Sequence, residues 1–338
     1  MESLPHVSIL MAARNESLNI ERSLRSLAQL DYPKEKLEIW VGNDHSEDDT
    51  LQKIQSFCES HPQFHCVNIE KTIEGLHGKT NVLAQLARLA KGTVYITTDA
   101  DMSFRAGWAR GLVKGLAPNV GIVNGFTASR SMADWRGFQG LDWVMALGVF
   151  DLLARLGFPA AAMGNNMLIT AEAYNAAGGF EKIPFSVTED FELFKQIVWK
   201  KKFGFRQLIN KDVSAVTEPS LSAGELLRQR KRWLYGSLQL PWYFQIHWLL
   251  AAMVAVGIFA FWQPFAALTI YGTAIFFKYA FISGVLERAH RRDLYRFLPL
   301  YEIYFILMLV SALIYFYRNN TVEWKGRKYE KGSFENTL

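Results

Sequence analysis

Two carboxylates one residue apart, Asp99 and Asp101, end the apolar run "VYITTDADM" over Val94 to Met102. In an extended chain, side chains at i and i+2 point to the same side, so the two carboxylates would face one spot and repel each other. A divalent cation between them removes the repulsion, and hard oxygen ligands suit magnesium or manganese. The same residues also fit a polar turn that closes a strand. A second acidic pair, Glu189 and Asp190, opens "EDFELFKQIVWKKK", where Phe191, Phe194, Ile197 and Val198 share one helical face. Ser186 and Glu189 have capping-box spacing, which predicts Asp190 in the first turn of that helix. A carboxylate there also favours the helix dipole, so it has a purely structural reading. The cluster "RQRKRW", Arg228 to Trp233, combines guanidinium forks suited to phosphate with a flat indole. It equally suits a basic and aromatic anchor beside a membrane.

The elements that must position these residues follow from periodicity. "HVSILMAA" (His6 to Ala13) suits a buried strand, and Leu18, Ile20, Leu24, Leu27 and Leu30 then fall near helical spacing. "LEIWVGND" (Leu37 to Asp44) precedes the helix-like "DDTLQKIQSFCESH", "FHCVNIE" precedes "KTNVLAQLARLAKG", and "TVYITTDAD" forms a fourth strand. Alternating strands and helices imply an α/β fold with a mainly parallel sheet, which binds ligands at the carboxyl ends of its strands. Asp44 and Asp99 fall at such ends, and Arg14 and Glu16 directly follow the first strand. The first turn reads "AARNES" rather than Gly-x-Gly-x-x-Gly, which argues against a dinucleotide enzyme. "GLHGKT" imitates a phosphate loop, but the position needing its first glycine is Ile73.

The 338 residues have a mean hydropathy of +0.03, an average that conceals a shift along the chain. Residues 1–240 read as a soluble α/β domain with charges spread throughout. From Ile246 to Leu286 the only charged residue is Lys278, and from Phe297 to Tyr317 it is Glu302. About 20 apolar residues cross a bilayer's hydrocarbon core, and Gln263-Pro264 divides the first stretch. Membrane-associated segments are therefore expected at about 246–262, 264–286 and 297–317, within a region 241–318 followed by a basic tail, 319–338. The net charge of +5 is concentrated in basic clusters near these segments. An anionic inner leaflet is the simpler partner for them, and nucleic acid is not expected. The N-terminus lacks a basic region followed by a long apolar one, so the large domain is expected on the cytosolic side of the cytoplasmic membrane, with Cys58 and Cys66 as reduced thiols. Three full crossings would put the basic tail on the opposite side, which favours a re-entrant or interfacial path for one segment. "DWVMALGVFDLLARLG" (Asp142 to Gly157) fits a buried helix or one dipping into the membrane.

The motifs "ARNES", "GNDHSEDDT", "GKT", "TTDAD", "GNNMLI", "GGF", "TED" and "RQRKRW" occur in the order seen in family 2 inverting glycosyltransferases. The chain resembles a membrane-attached member of that family over roughly residues 5 to 240. The resemblance implies a GT-A fold, a UDP-sugar donor, and Mg²⁺ or Mn²⁺ held on the diphosphate by Asp99 and Asp101, with Asp101 the direct ligand. It further implies Asp44 at the uracil, Arg14 and Glu16 along the nucleotide pocket, and Lys79 offsetting phosphate charge. Gln229, Arg232 and Trp233 match the Gln/Arg-x-x-Arg-Trp motif, and Asp190 matches the general base that deprotonates the acceptor hydroxyl. That oxygen attacks from the face opposite UDP, so one displacement inverts the anomeric centre, unlike the two-step path of a retaining glycosidase. "GNN" (Gly164 to Asn166) either borders the sugar site or serves as a turn. "TVEWKGRKY" resembles the tail of bacterial members that act on membrane lipids. The expected function is transfer of one hexose, from UDP-glucose or UDP-galactose, to a hydroxyl of a membrane lipid. A polysaccharide synthase acting as an oligomer and an inactive membrane scaffold stay open, although two or three apolar segments are too few for one chain to enclose a polymer channel.

Overall fold

Val7–Ala13 forms the first strand (β1), and its side chains alternate between two buried layers: Leu10 joins one core, while Ile9 and Met11 join the other. Burial on both faces is why the run is apolar throughout. β1 pairs in parallel with β2 (Leu37–Asn43) and with Val94–Asp99, and β2 pairs in parallel with β3 (Phe64–Asn68). The later strands are β4 (Val94–Asp99), β5 (Ser103–Phe104), β6 (Val120–Asn124), β7 (Phe126–Ser129), β8 (Asn166–Thr170), β9 (Gly204–Gln207) and β10 (Ser214–Thr217). The main sheet runs β3-β2-β1-β4-β8-β6-β9, and β5-β10-β7 form a smaller one. The expected mainly parallel sheet is present, with β8 antiparallel to both its neighbours. This architecture comes from a computed structural model and is described for residues 4–184, 186, 188–240, 264–318, 321–324 and 327–330.

The helices are α1 (Ile20–Ala28), α2 (Thr50–Glu59), α3 (Gly78–Leu89), α4 (Trp108–Val113), α5 (Phe138–Arg155), α6 (Ala171–Ala176), α7 (Glu189–Phe194), α8 (Ala223–Leu238), α9 (Pro264–Ala289) and α10 (Leu298–Arg318). Leu24 and Leu27 of α1, Ile54 of α2 and Trp108 of α4 share one core. The other core holds Val82 and Leu86 of α3, Leu147 of α5 and Phe194 of α7, and it continues into Val285 of α9 and Tyr301 of α10. The strand-bearing part and the apolar helices are therefore packed together through α5. Gly148 permits that approach, since a Cβ there would lie 2.8 Å from the Val285 side chain.

Among the described residues, three helices are long and apolar enough to cross a membrane: Trp135–Arg155, Leu268–Ala289 and Arg292–Arg318. The last two coincide with the expected segments at 264–286 and 297–317, whereas 246–262 lies outside the described residues. For Trp135–Arg155, 56% of the apolar window is buried, which fits the buried-helix reading of this stretch. Both ends of α10 touch the strand-bearing part and its helices. Phe297, just before it, packs edge-on against Phe138, and Phe316 near its far end lies 4.7 Å from the Tyr235 ring of α8. Beyond it, β11 (Thr321–Trp324) and β12 (Arg327–Glu330) form an antiparallel pair. Lys231 of α8 donates to the Thr321 carbonyl at 2.8 Å, so the chain past α10 begins beside α8.

Candidate active site

The parallel strands deliver their carboxyl ends to one place. Ala13 of β1 is in register with Asn43 of β2, and Ala12 with Asp99 of β4, so Arg14, Asp44 and Asp99 leave the sheet side by side. The loops after β1 and β2 lock together. Arg14 donates to the Asp44 carbonyl at 2.8 Å and pairs with Glu47, while the Glu47 amide donates to the Asn15 side chain. Asn15 and His45 sit in the left-handed region, at φ 52° and 54°, a backbone cost that clusters at functional loops. Glu16 is buried and accepts from Asn19, and Asp44 is also buried.

At Asp99 and Asp101 the chain does not stay extended. β4 ends at Asp99, and the Met102 amide donates to the Asp99 carbonyl, so the two carboxylates sit on a turn rather than on one strand face. That turn is held from outside: Arg22 donates to the Asp101 carbonyl at 2.7 Å and Thr217 to the Asp101 carboxylate at 2.9 Å. Among the described residues no three His, Cys, Asp or Glu side chains form a metal cage. Two carboxylates on a cavity wall instead fit Mg²⁺ or Mn²⁺, which commonly takes one or two protein carboxylates and completes its shell with substrate phosphates and water.

Lys79, in the first turn of α3, reaches Asp99 at 2.6 Å and Glu189 at 3.0 Å. Burial by itself disfavours its ammonium, but the charges of Asp99, Glu189 and Asp190 outweigh it and hold its pKa above the ordinary lysine value. Asp190 lies in the first turn of α7 as expected. Its helix, however, starts after Thr188, and Ser186 caps the Thr188 amide instead of the helix. The Asp190 carboxylate accepts from the Gly164 amide at 2.7 Å and from the Phe191 amide at 2.8 Å. Burial, reinforced by the Glu189 charge, pushes its pKa up to about 6, against the pull of Lys79 and the two amides. "GNN" therefore divides its work. Gly164 fixes Asp190, while Asn166 is fully buried and bonds Trp108 and the Val213 carbonyl.

α8 opens with Ser222 accepting from the Glu225 amide while Glu225 accepts from the Leu221 amide, a capping arrangement legible in "SAGE". It carries Gln229, Arg232 and Trp233. Arg230 and Lys231, which also suit a membrane anchor by sequence, are buried within the protein instead. Arg230 pairs with Asp142 of α5 at 2.5 Å, donates to Gln229, and stacks 4.1 Å over the Trp233 ring. Trp233 meets Trp143 edge-on at 4.9 Å. Asp142 also accepts from Tyr301 and Tyr304 of α10, at 3.0 and 2.9 Å. Sequence reading assigned Asp142 no role, although a single carboxylate in the otherwise uncharged run Phe138 to Phe150 was a visible signal.

All ten residues singled out by sequence, Arg14, Glu16, Asp44, Lys79, Asp99, Asp101, Asp190, Gln229, Arg232 and Trp233, line one cavity of about 1430 Å³. Its wall also includes residues of α5, α9 and α10, among them Phe281, Phe305 and Leu309. Strand-end carboxylates, a buried aspartate and an apolar extension thus share one space, an arrangement suited to joining a polar, anionic substrate to an apolar one.

The description "Glycosyl transferase family 21" matches residues 1–333, and the chain belongs to that family. The motifs suggested family 2; a glycosyltransferase is common to both readings. Over 241 residues the chain is 28% identical to the beta-monoglucosyldiacylglycerol synthase of Synechocystis sp., covering 70% of this chain and 48% of that protein. The synthase of the same name from Trichormus variabilis is 26% identical over 251 residues, covering 70% and 50%. The chain thus spans about half the length of these curated relatives. In fold it is similar to a mannosyltransferase from Pyrobaculum calidifontis solved with GDP-Man and Mn²⁺, with a TM-score of 0.58, 20% identity, and coverage of 93% of this chain and 88% of that one.

Proposed function

We propose that this protein transfers one hexose from a UDP-sugar to a hydroxyl of a membrane lipid by a single inverting displacement. The observation that carries this reading is the continuity of the cavity. One wall is built from strand-end residues suited to a nucleotide diphosphate, another from membrane-type helices suited to a lipid, and Asp190 lines the same space.

Asp44, Arg14 and Glu16 are assigned to the nucleoside end, and Gln229, Arg232 and Trp233 to the diphosphate and sugar. Asp99 and Asp101 would hold a divalent cation, whose charge stabilises the leaving diphosphate. Lys79 supports the same end, since an ammonium held protonated beside Asp99 offsets anionic charge there. Asp190 takes the proton of the acceptor hydroxyl as that oxygen attacks the anomeric carbon. A carboxyl with pKa about 6 is largely ionised at neutral pH, yet basic enough to accept that proton. Gly164 keeps the carboxylate aimed. Beta-monoglucosyldiacylglycerol synthases among the relatives favour glucose and diacylglycerol as the first substrates to try.

The contact between Lys231 and Thr321 supports a same-side arrangement in which the chain returns to the catalytic part after α10. With the basic residues near the apolar helices, it favours attachment to the inner leaflet with the active site facing the cytosol. The test is UDP release by purified protein over a panel of UDP-sugars, with and without lipid extract and Mn²⁺ or Mg²⁺. Release requiring both metal and lipid is expected. Release that ignores lipid, with label in a water-soluble polymer, would replace this reading with a polysaccharide synthase, and no turnover of any sugar nucleotide with a scaffold.

A further inference from the structure

Lys278 of α9 and Glu302 of α10 are the only charges in their respective apolar stretches, Ile246 to Leu286 and Phe297 to Tyr317. They meet at 2.7 Å. Tyr271 donates to Glu302 at 3.1 Å, and the Lys278 ammonium lies 4.1 Å from the centre of the Phe305 ring. Both charged residues line the cavity that holds Asp190, and each keeps part of its side-chain surface open, 17% and 19%. Joining two helices does not require this pair, because apolar residues of similar volume replace buried ion pairs without loss or with a gain in stability. Ionisable groups set in otherwise apolar, membrane-type helices instead mark substrate paths.

We propose that Lys278 and Glu302 form the seat for the headgroup of the lipid acceptor, and that they select a neutral, hydroxyl-bearing headgroup over an anionic one. The inference rests on the lipid-acceptor reading above. An ammonium offers donors and a carboxylate offers acceptors, so the pair matches a hydroxyl, which is both. Because the two charges cancel, a phosphate entering the seat gains little from Lys278 and meets Glu302 at close range. Phe277, Phe281, Phe305 and Met308 line the same cavity and give the acyl chains an apolar wall. A neutral lipid thus finds its polar and apolar parts matched in one space continuous with the base.

The experiment measures acceptor KM and donor KM for full-length protein in detergent micelles, with dioleoylglycerol as the neutral probe and phosphatidylglycerol as the anionic one. Wild-type protein is expected to prefer dioleoylglycerol. Glu302→Gln should raise the dioleoylglycerol KM about tenfold, the loss of roughly one charge-assisted hydrogen bond. It should leave the donor KM unchanged and shift preference toward phosphatidylglycerol, because Lys278 loses its counter-charge. The double variant Lys278→Met with Glu302→Leu should melt at the wild-type temperature yet lose the preference. A purely structural pair would lower the melting temperature and leave selectivity alone. If wild-type protein is active and both variants keep its acceptor KM and preference, the seat is overturned while the lipid reading stands. If wild-type protein labels neither probe nor any component of a lipid extract, the lipid reading falls and takes the seat with it.

Discussion

Asp190 has its chemical character from burial first, then from the adjacent Glu189 carboxylate, set against two groups distant in sequence, the Lys79 ammonium and the Gly164 amide. On the proposed reading, Asp190→Asn keeps UDP binding but lowers transfer by about 10²- to 10⁴-fold, the usual weight of a general base. Single-turnover transfer beside a UDP titration checks this, and wild-type turnover would remove Asp190 as base. The pH dependence follows from the raised pKa. Below about 6 the carboxyl is protonated and cannot accept the hydroxyl proton, so kcat/KM should fall about tenfold per pH unit there and level off above neutrality. Gly164 gives a second handle, because a Cβ at that position would lie 2.8 Å from the Asp190 Cβ. Gly164→Ala should therefore displace the carboxylate and cut kcat at least about tenfold, with little change in donor KM. For the metal, Asp101→Ala should abolish Mn²⁺-dependent UDP binding, read by calorimetry with and without the ion. At this scale the order and spacing of the motifs pointed to carboxylates that the fold brings into one cavity. They did not show that Lys79 links Asp99 to Glu189, since partners so far apart meet only after the sheet has formed.

Among the elements, α5, α8 and α10 are joined at Asp142, which takes hydrogen bonds from Arg230, Tyr301 and Tyr304. Removing one partner of a buried ion pair leaves the other uncompensated, at a cost of about 3 kcal/mol. Asp142→Ala should thus lower the melting temperature by several degrees, and pairing it with Arg230→Met should recover part of the loss. An Asp142→Ala protein that melts like wild type would show that the three helices are held by apolar packing alone. The alternation of strand and helix was legible from periodicity because it is written in local spacing. The antiparallel β8 and the burial of Arg230 and Lys231 were not. A basic run beside an apolar stretch looks the same whether it faces headgroups or, as here, the Asp142 carboxylate and the Thr321 carbonyl. The helix start at Thr188 rather than at Ser186 is a smaller miss of the same kind: capping-box spacing was present, but the Ser186 hydroxyl turned to the Thr188 amide.

For the whole molecule, the ends of α10 both rest on the strand-bearing part, which on the proposed reading puts the end of α10 and the active site on one side of the bilayer. With Cys58 and Cys66 replaced by serine, single cysteines at Lys34 and Arg318 should react alike with a membrane-impermeant maleimide: shielded in intact cells and labelled after permeabilisation. Opposite reactivity would require a crossing between them. Composition made the apolar segments plain, but their path was hidden, because side-chain hydropathy says how much surface avoids water and not what covers it. The measurement that bears most directly on the proposed function is the structure of the lipid product made from an α-linked UDP-sugar, extracted into organic solvent and resolved by NMR. One hexose per lipid with a β-anomeric proton is the expected result, since a single displacement with Asp190 as base inverts the centre. An α-anomer, or a chain of several sugars on each lipid, would contradict it.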